Sequence, residues 1–203
     1  MTRMTDFLIA SNNAHKVEEF KRILSPLGIN AVSAKEAGFD LGEVVEDGST
    51  FAENALIKAK SAFKATGLPS VADDSGLCVD ALDGAPGIFT ARYGSEGFSD
   101  RQRMAYLLDN MKNVPKEKRT ARFVCSICCM LSEGDIITAE GVCDGSIAFE
   151  ISGDGGFGYD PLFLAPDDRC FGVISAEEKD KLSHRGKALR KLSLLLKDRK
   201  DLI

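Results

Sequence analysis

The sequence has no unbroken apolar run of the length that a membrane-spanning helix needs. The short apolar run at residues 7–10 is also too brief for the core of a signal peptide, so it predicts a first β-strand. Internal repeats, low-complexity tracts and linkers are missing as well. The 203 residues therefore suit a single domain, 1–203, that is large enough to bury its own core.

An excess of basic residues is missing too. The chain has 26 Lys and Arg against 31 Asp and Glu, which gives a formal net charge of −5. Nonspecific binding to nucleic acid polymers depends on basic surfaces that meet phosphates, so this balance argues against it. A small anionic substrate held by a few well-placed cations stays compatible with the composition.

Histidine is scarce, with only His15 and His184, so few nitrogen ligands are available for zinc. The six cysteines include one Cys-x-x-Cys spacing, Cys125 to Cys128, and no second one. The run 123–131 around it is short and apolar like a buried strand, where free cysteine packs as a small hydrophobe. Zinc or redox chemistry is the weaker alternative. Six thiols without a secretory signal suit a reducing compartment, so we expect a cytoplasmic protein.

Strand and helix patterns alternate along the chain. Apolar residues at helical spacing predict a helix after residues 11–13, and Thr50 and Ser99 each begin a capping-box sequence ahead of another helix. Strands at 121–131 and 136–149 flank a turn and predict a hairpin, and a last helix begins near Arg185. This order predicts an α/β fold with a mixed sheet.

A polar segment follows the first predicted strand, at the start of a helix. It consists of Ser11, Asn12, Asn13, Ala14, His15 and Lys16. Free backbone N–H groups and a partial positive charge at a helix start favour phosphate, and Lys16 lies one turn into the helix. Neither of the common glycine-rich phosphate motifs is present. A plain helix cap with a solvated lysine is therefore the alternative.

Two adjacent aspartates, Asp73 and Asp74, stand with Ser75 where a strand is expected to end. Ligands of α/β sheets bind beyond the carboxyl ends of strands. Mg²⁺ prefers one or two carboxylates with phosphate oxygens, and one carboxylate can also deprotonate an attacking water. Glu46, just before the Thr50 helix, is a further candidate ligand. An ordinary turn and a solvated loop acid are the alternatives.

Glycine is concentrated in a glycine-rich loop at residues 153–158, which surrounds Phe157. Such a density of glycine indicates unusual backbone or close approach to a ligand. The Phe157 ring can stack on a nucleobase, and a ring folded back into the core is the alternative. The side chains of Lys179, His184 and Arg185 near the last helix can donate hydrogen bonds to carbonyls and phosphates, which favours an anionic or carbonyl-rich partner. A solvated face is the alternative.

Together these segments resemble the inosine triphosphate pyrophosphatase family over nearly the whole chain. The most specific matches are Ala-Asp-Asp-Ser-Gly-Leu from Ala72, Gly-Ala-Pro-Gly-Ile from Gly84, Gly-Phe-Gly-Tyr-Asp-Pro from Gly156 and Ser-His-Arg-Gly from Ser183. The resemblance implies an elongated mixed β-sheet with helices forming two lobes around a central cleft, usually in a homodimer. It also implies Mg²⁺-dependent hydrolysis of ITP, dITP and XTP to the monophosphate and pyrophosphate.

The resemblance further assigns roles by position. Asp74 would be the catalytic base and a metal ligand, with Asp73 beside it, and Ser75 would contact the substrate. The residues that would hold the triphosphate are Ser11, Asn13 and Lys16. The residues that would line the pocket for the base are Phe157, Gly158, Tyr159, Asp160, Lys179, His184 and Arg185.

Two positions depart from the family pattern. Asn12 stands where the family commonly has Gly, and Asn tolerates left-handed backbone better than most residues. Val45 stands where the family often has a metal-ligating Glu, so Glu46 or Glu43 would replace it, or Mg²⁺ would rest on the two aspartates.

Other functions are less consistent with these residues. A related pyrophosphatase for modified pyrimidine or methylated nucleotides lacks support, because Phe157 to Asp160 resemble a purine pocket. A Nudix hydrolase would need a helix dense in Glu, which the chain does not have. A nucleotide sensor without catalysis is disfavoured by the intact pair of aspartates, although Val45 leaves it open.

Overall fold

The computed structural model describes residues 6–199. The strands are β1 (Phe7–Ile9), β2 (Ala31–Ser33), β3 (Ser70–Val79), β4 (Thr120–Ser132), β5 (Asp135–Ile147) and β6 (Phe163–Leu164). The helices are α1 (Ala14–Leu24), α2 (Phe51–Thr66), α3 (Asp100–Asn110), α4 (Ala176–Leu182) and α5 (His184–Lys197). None of the described helices is both long and apolar enough to cross a membrane.

The strands form one six-stranded sheet in the order β2-β1-β3-β4-β5-β6. β1 runs parallel to both neighbours, with Leu8 opposite Val32 on β2 and opposite Ser70 on β3. Parallel neighbours need crossover connections, which α1 and α2 provide. β5 and β6 are antiparallel, with Ile147 opposite Phe163. The predicted mixed sheet is therefore confirmed.

The chain divides into two compact units. Among the described residues, the first unit contains 6–74, 125–141 and 185–199, and the second unit contains 75–124 and 142–184. The first unit has two apolar clusters, because side chains alternate between the faces of a strand. Ile9 packs in one cluster with residues of α1 and α5, whereas Leu8 packs in the other with Ala55 and Ala59 of α2.

The core of the second unit is rich in aromatic rings. The centroid of the Phe163 ring lies 4.7 Å from that of Phe123 and 5.0 Å from that of Phe171. Met104 and Leu107 of α3 are buried in the same cluster. Tyr159, which directly follows the glycine-rich loop, belongs to the same cluster.

Helix starts follow the predicted caps, with one difference. Ser99 and Gln102 form the full reciprocal capping box of α3. Thr50 caps α2 by accepting from the Glu53 N–H, but the Glu53 carboxylate accepts from the Ser49 N–H, one residue before the cap. α4 was not predicted from the sequence, although Ser175 and Glu178 form a further capping box there.

The expectation that a strand ends at the two aspartates is wrong. β3 continues from Ser70 through Asp73 and Asp74 to Val79. Asp-Asp-Ser-Gly favours a turn only where its side chains bond to their own backbone. Here both carboxylates bond to side chains of helices, as described below, so the backbone stays extended.

The Cys-x-x-Cys residues lie on β4 and belong to different apolar clusters, Cys125 to one and Cys128 to the other. Strand residues three apart face opposite sides of a sheet, so Cys125 and Cys128 cannot both bind one metal ion. All six cysteines are free thiols.

Candidate functional site

Asp73 is a buried carboxylate between two cations in the first unit. Its Oδ2 lies 3.2 Å from Lys16 Nζ and 2.9 Å from Arg185 Nη2, and Arg185 Nε donates to it at 3.2 Å. Burial raises the pKa of Asp73, but the charges of Arg185, Lys16 and Lys58 outweigh it and hold the pKa far below its ordinary value. Asp73 is therefore ionised and holds Lys16 in place.

Arg185 extends this buried chain of charges to α1. Its Nη1 donates to Glu19 Oε2, and both side chains are almost wholly buried. Burial lowers the pKa of Arg185, yet the carboxylates of Asp73 and Glu19 raise it overall. The structure thus places Arg185, predicted to line a base pocket, on two carboxylates of the first unit.

Asp74 has different partners from its neighbour, as expected for consecutive strand residues that face opposite ways. Its Oδ1 lies 3.3 Å from Lys58 Nζ, and its Oδ2 accepts from Asn54 Nδ2 at 3.1 Å. Lys58 Nζ also lies 3.0 Å from Glu46 Oε2. Burial lowers the pKa of Lys58, but the nearby Asp73, Asp74 and Glu46 charges raise it overall, so Lys58 is a cation.

Asn54 fixes the geometry between the acidic loop and Asp74. Its Oδ1 accepts from the Gly48 N–H at 2.9 Å, which leaves the Nδ2 group to donate to Asp74. A Cβ at position 48 would lie 2.6 Å from Asn54 Oδ1, so glycine is required for this close approach. The loop that carries Glu46 is thereby docked on α2.

The acids of the first unit suit a cation bound together with phosphate. Glu46 and Asp74 already share one cation, the Lys58 ammonium. Across the part of the chain that the structure describes, no three His, Cys, Asp or Glu side chains converge as a preformed cage. Mg²⁺ needs no such cage, because it uses one or two carboxylates plus substrate oxygens. Asp73 suits Mg²⁺ less well, because two cations already border its Oδ2.

The Ser11-to-Lys16 segment forms the start of α1. Asn13 Oδ1 accepts from the N–H groups of His15 and Lys16 at 3.0 and 3.2 Å, so this side chain caps the helix. Ser11 Oγ accepts from the Asn13 N–H, and Asn12 Nδ2 donates to Gly42 O. The alternative of a solvated Lys16 is not observed, because its ammonium meets Asp73. Ala14 and His15 are exposed at the same helix start.

The second unit holds Phe157, Asp160 and Lys179 together. Asp160 Oδ2 accepts from the Phe157 N–H at 2.8 Å and lies 2.6 Å from Lys179 Nζ. The Lys179 ammonium also lies 4.6 Å from the centroid of the Phe157 ring, over its face. Phe157 is half-buried, whereas Asp160 and Lys179 are buried. A partly open ring is thus held beside a buried ion pair.

Three further predicted residues take different positions. Gly158 donates its N–H to Asp100 Oδ2 at 2.8 Å. Tyr159 is 2% exposed, and its hydroxyl donates to Thr90 O at 3.3 Å. The His184 ring stacks on Phe123 with centroids 4.7 Å apart. Tyr159 and His184 are therefore packed into the core of the second unit, and Ser75 directly follows Asp74 on β3.

Four residues that shape these groups were missed by the sequence analysis: Glu19, Asn54, Lys58 and Asp100. A signal existed for two of them. Asn54 and Lys58 are four residues apart on α2 and so share one helix face. That face includes buried alanines, and a buried asparagine among them needs a polar partner.

The chain is similar to known proteins of one family. A sequence model described as the Ham1 family matches residues 7–194. A dITP/XTP pyrophosphatase from Photobacterium profundum is 46% identical over 198 residues, covering 96% of this chain and all (100%) of that protein. A dITP/XTP pyrophosphatase from Bacillus subtilis is 44% identical over 197 residues, covering 97% and 99%.

Solved structures show the same fold. A HAM1 protein from Coxiella burnetii matches with a TM-score of 0.86 and 39% identity, over 96% of this chain and 100% of that chain. The Staphylococcus aureus Ham1 protein matches with a TM-score of 0.84 and 38% identity, over 97% and 100%.

Proposed function

Because this chain belongs to the Ham1 family, we propose that it is a pyrophosphohydrolase of purine nucleoside triphosphates that carry deaminated bases. Its substrates are ITP, dITP and XTP, and its products are the monophosphate and pyrophosphate. Such an enzyme removes these nucleotides before polymerases place them in DNA or RNA. The relatives that share 44–46% of their residues with it are named dITP/XTP pyrophosphatases.

One observation carries the proposal at the level of chemistry. Asp74 is a carboxylate in the middle of β3, with Lys58 against one oxygen and Asn54 against the other. A carboxylate held in this way can accept a proton from a water that attacks phosphorus. Lys58 and Lys16 supply positive charge for the triphosphate, and Asp73 keeps Lys16 oriented.

Asp74 and Glu46 are the residues that would hold Mg²⁺, and Asp73 is the weaker third candidate. When bound, Mg²⁺ offsets the charge of the phosphates. Ser11 and Asn13 lie at the start of α1, where the helix dipole favours an anion, although Asn13 Oδ1 already accepts from the N–H groups of His15 and Lys16. Their role is to orient the triphosphate beside Lys16.

The groups that we assign to the base are Phe157 and Lys179. Phe157 offers a ring face for stacking, which is worth roughly 1–3 kcal/mol per base. Lys179 covers one face of this ring, so a purine stacks on the other face or displaces the ammonium. Lys179 can also donate to a 6-oxo group, whereas the 6-amino group of adenine offers no acceptor there.

The test is a comparison of ITP, XTP, GTP and ATP as substrates, with and without Mg²⁺. We expect ITP and XTP to be hydrolysed to the monophosphate and pyrophosphate, and ATP to be rejected by roughly 10⁴-fold, as at sites built on hydrogen bonds to the base. Chromatography of the products shows whether pyrophosphate or phosphate is released. Accumulation of IDP, or equal use of ATP, would contradict the proposal.

The family resemblance also leads us to expect a homodimer. From the six thiols, the net charge and the lack of a long apolar run we further expect a cytoplasmic protein that binds neither membranes nor nucleic acid polymers. Sedimentation velocity at several protein concentrations tests the dimer. A single species with the mass of one 21.9 kDa chain at all concentrations would exclude it.

A further inference from the structure

Phe157 lies between two glycines, and each peptide plane that flanks it is held by a carboxylate. The Phe157 N–H donates to Asp160 Oδ2 at 2.8 Å. The Gly158 N–H, which belongs to the following plane, donates to Asp100 Oδ2 at 2.8 Å. One bond restricts φ of Phe157 and the other restricts ψ, so together they fix the direction of its Cα–Cβ bond.

The backbone beside Phe157 would otherwise have unusual freedom. Gly156 and Gly158 have φ values of 71° and 62°, a region that glycine enters without steric cost. Glycine also enters other regions just as readily, so the neighbours of Phe157 do not by themselves define where the ring points. The two hydrogen bonds supply that definition, together with the Asp160 N–H, which donates to Phe157 O at 3.2 Å in the same peptide plane as the Gly158 N–H.

Asp100 is itself firmly anchored outside the glycine-rich loop. It is the first residue of α3, directly after the Ser99 cap. Its Oδ1 accepts from Arg103 Nη1 at 2.9 Å, and Arg103 Nη2 donates to Phe98 O at 2.8 Å. One oxygen of Asp100 is thus used within α3, and the other reaches the glycine-rich loop.

We propose that Asp100 is a positioning residue, which holds the Phe157 ring in the orientation that receives the purine base. The inference rests on the proposed function, since the base of that substrate is the ligand of the ring. Asp100 does not contact the base in this arrangement; it acts on the Phe157 ring through its hydrogen bond with the Gly158 N–H. It therefore acts on base binding and leaves the chemistry at phosphorus unchanged.

The test compares Asp100→Ala with Asp109→Ala. Asp109 lies near the other end of α3 and pairs with Lys112 at i,i+3, just as Asp100 pairs with Arg103. In Asp100→Ala we expect KM for ITP to rise roughly three- to tenfold, as for loss of one partly exposed hydrogen bond to a charged acceptor, with kcat unchanged. In Asp109→Ala both constants should match the wild type.

Amide hydrogen exchange provides a readout that does not depend on ITP. Exchange at Gly158 should accelerate in Asp100→Ala and stay unchanged in Asp109→Ala. Unaltered exchange or unaltered KM in Asp100→Ala would overturn the proposal, and so would a fall in kcat accompanied by a lower melting temperature. Failure of the wild type to hydrolyse ITP would instead remove the proposed function, and with it the role of the ring, while the exchange result still tests the hydrogen bond.

Discussion

Asp73 and Asp74 are neighbours in sequence, yet their surroundings differ. Asp73 is 2% exposed, and its Oδ2 is bordered by Lys16 and Arg185. Asp74 is 8% exposed and meets Lys58, which is shared with Glu46. Removing one member of a buried ion pair leaves an uncompensated charge, which is costly. We therefore expect Asp73 to act on stability, and we propose that Asp74 acts on the reaction.

Replacing each aspartate by asparagine separates these two effects. We expect Asp74→Asn to lower kcat for ITP by roughly 10²-fold or more, the contribution of a positioned base, and to remain folded. Asp73→Asn should lower the free energy of unfolding by roughly 3–5 kcal/mol, because Lys16 and Arg185 both lose the charge of Asp73, although Arg185 keeps Glu19. Steady-state kinetics and urea unfolding of both variants provide the measurements.

Each variant is the control for the other, because the substitution, the strand and the loss of charge are the same. Wild-type turnover in Asp74→Asn at saturating Mg²⁺ would remove Asp74 from the reaction. Wild-type stability in Asp73→Asn would show that the buried charges of Lys16 and Arg185 do not depend on Asp73.

Single residues were easier to identify from sequence than their partners. The chemistry of Lys16, Asp73 and Asp74 could be inferred from residue type and from the predicted helix and strand beside them. Their arrangement around Arg185 could not be inferred, because Arg185 is 112 positions from Asp73 and 166 from Glu19. Only tertiary packing brings α5 to these acids, and no local pattern encodes it.

At the scale of elements, strong local signals predicted helices and strands well. The caps at Ser99 and Thr50 and the hairpin of β4 and β5 lie close to their predicted positions. β3 was predicted too short, because turn propensity of Asp-Ser-Gly is a local preference that side-chain bonds to α1, α2 and α5 override. The short helix α4 was missed for the opposite reason, since seven residues show little apolar periodicity.

β4 carries three buried thiols, and their burial has a consequence for stability at high pH. Burial raises the pKa of Cys128 to about 11 and that of Cys129 to about 12. Thiols of the unfolded chain ionise near pH 8.5, roughly, so above that pH the unfolded state loses protons before the folded state does. The contribution of these buried thiols to the free energy of unfolding is therefore complete below that pH. It falls as pH rises toward the pKa values of the thiols in the folded protein.

We accordingly expect the free energy of unfolding to fall between pH 8 and pH 10, roughly the range that follows ionisation of unfolded thiols. Urea unfolding of the wild type and of Cys129→Ala measures this fall. The fall should be smaller in Cys129→Ala, which has one thiol fewer. An equal fall in both proteins would assign the effect to other groups.

At the scale of the whole molecule, the path of the chain joins the two units through regular structure. The chain passes from one unit to the other after residues 74, 124 and 141, which lie inside β3, β4 and β5. The fourth passage, after residue 184, is at the start of α5. All four points lie within the described residues, and none of them is a flexible linker.

Each of β3, β4 and β5 contributes residues to both units, so unfolding of one unit disrupts strands of the other. We therefore expect unfolding to be a single cooperative transition. The three tyrosines, Tyr93, Tyr106 and Tyr159, all lie in the second unit, and the chain has no tryptophan. Tyrosine fluorescence therefore reports on the second unit, whereas labelling of Cys125, Cys128 and Cys129 reports on the first. We expect the two urea midpoints to coincide, and midpoints that differ would show independent units.

The different environments of the two aspartates also make a useful reagent available. In Asp74→Asn the charges that orient Lys16 and Arg185 are retained, since Asp73 keeps both of its cations. Such a protein should bind a deaminated nucleotide without consuming it. Immobilised on a resin, it would serve as an affinity trap that collects damaged triphosphates from cell extracts for identification by mass spectrometry.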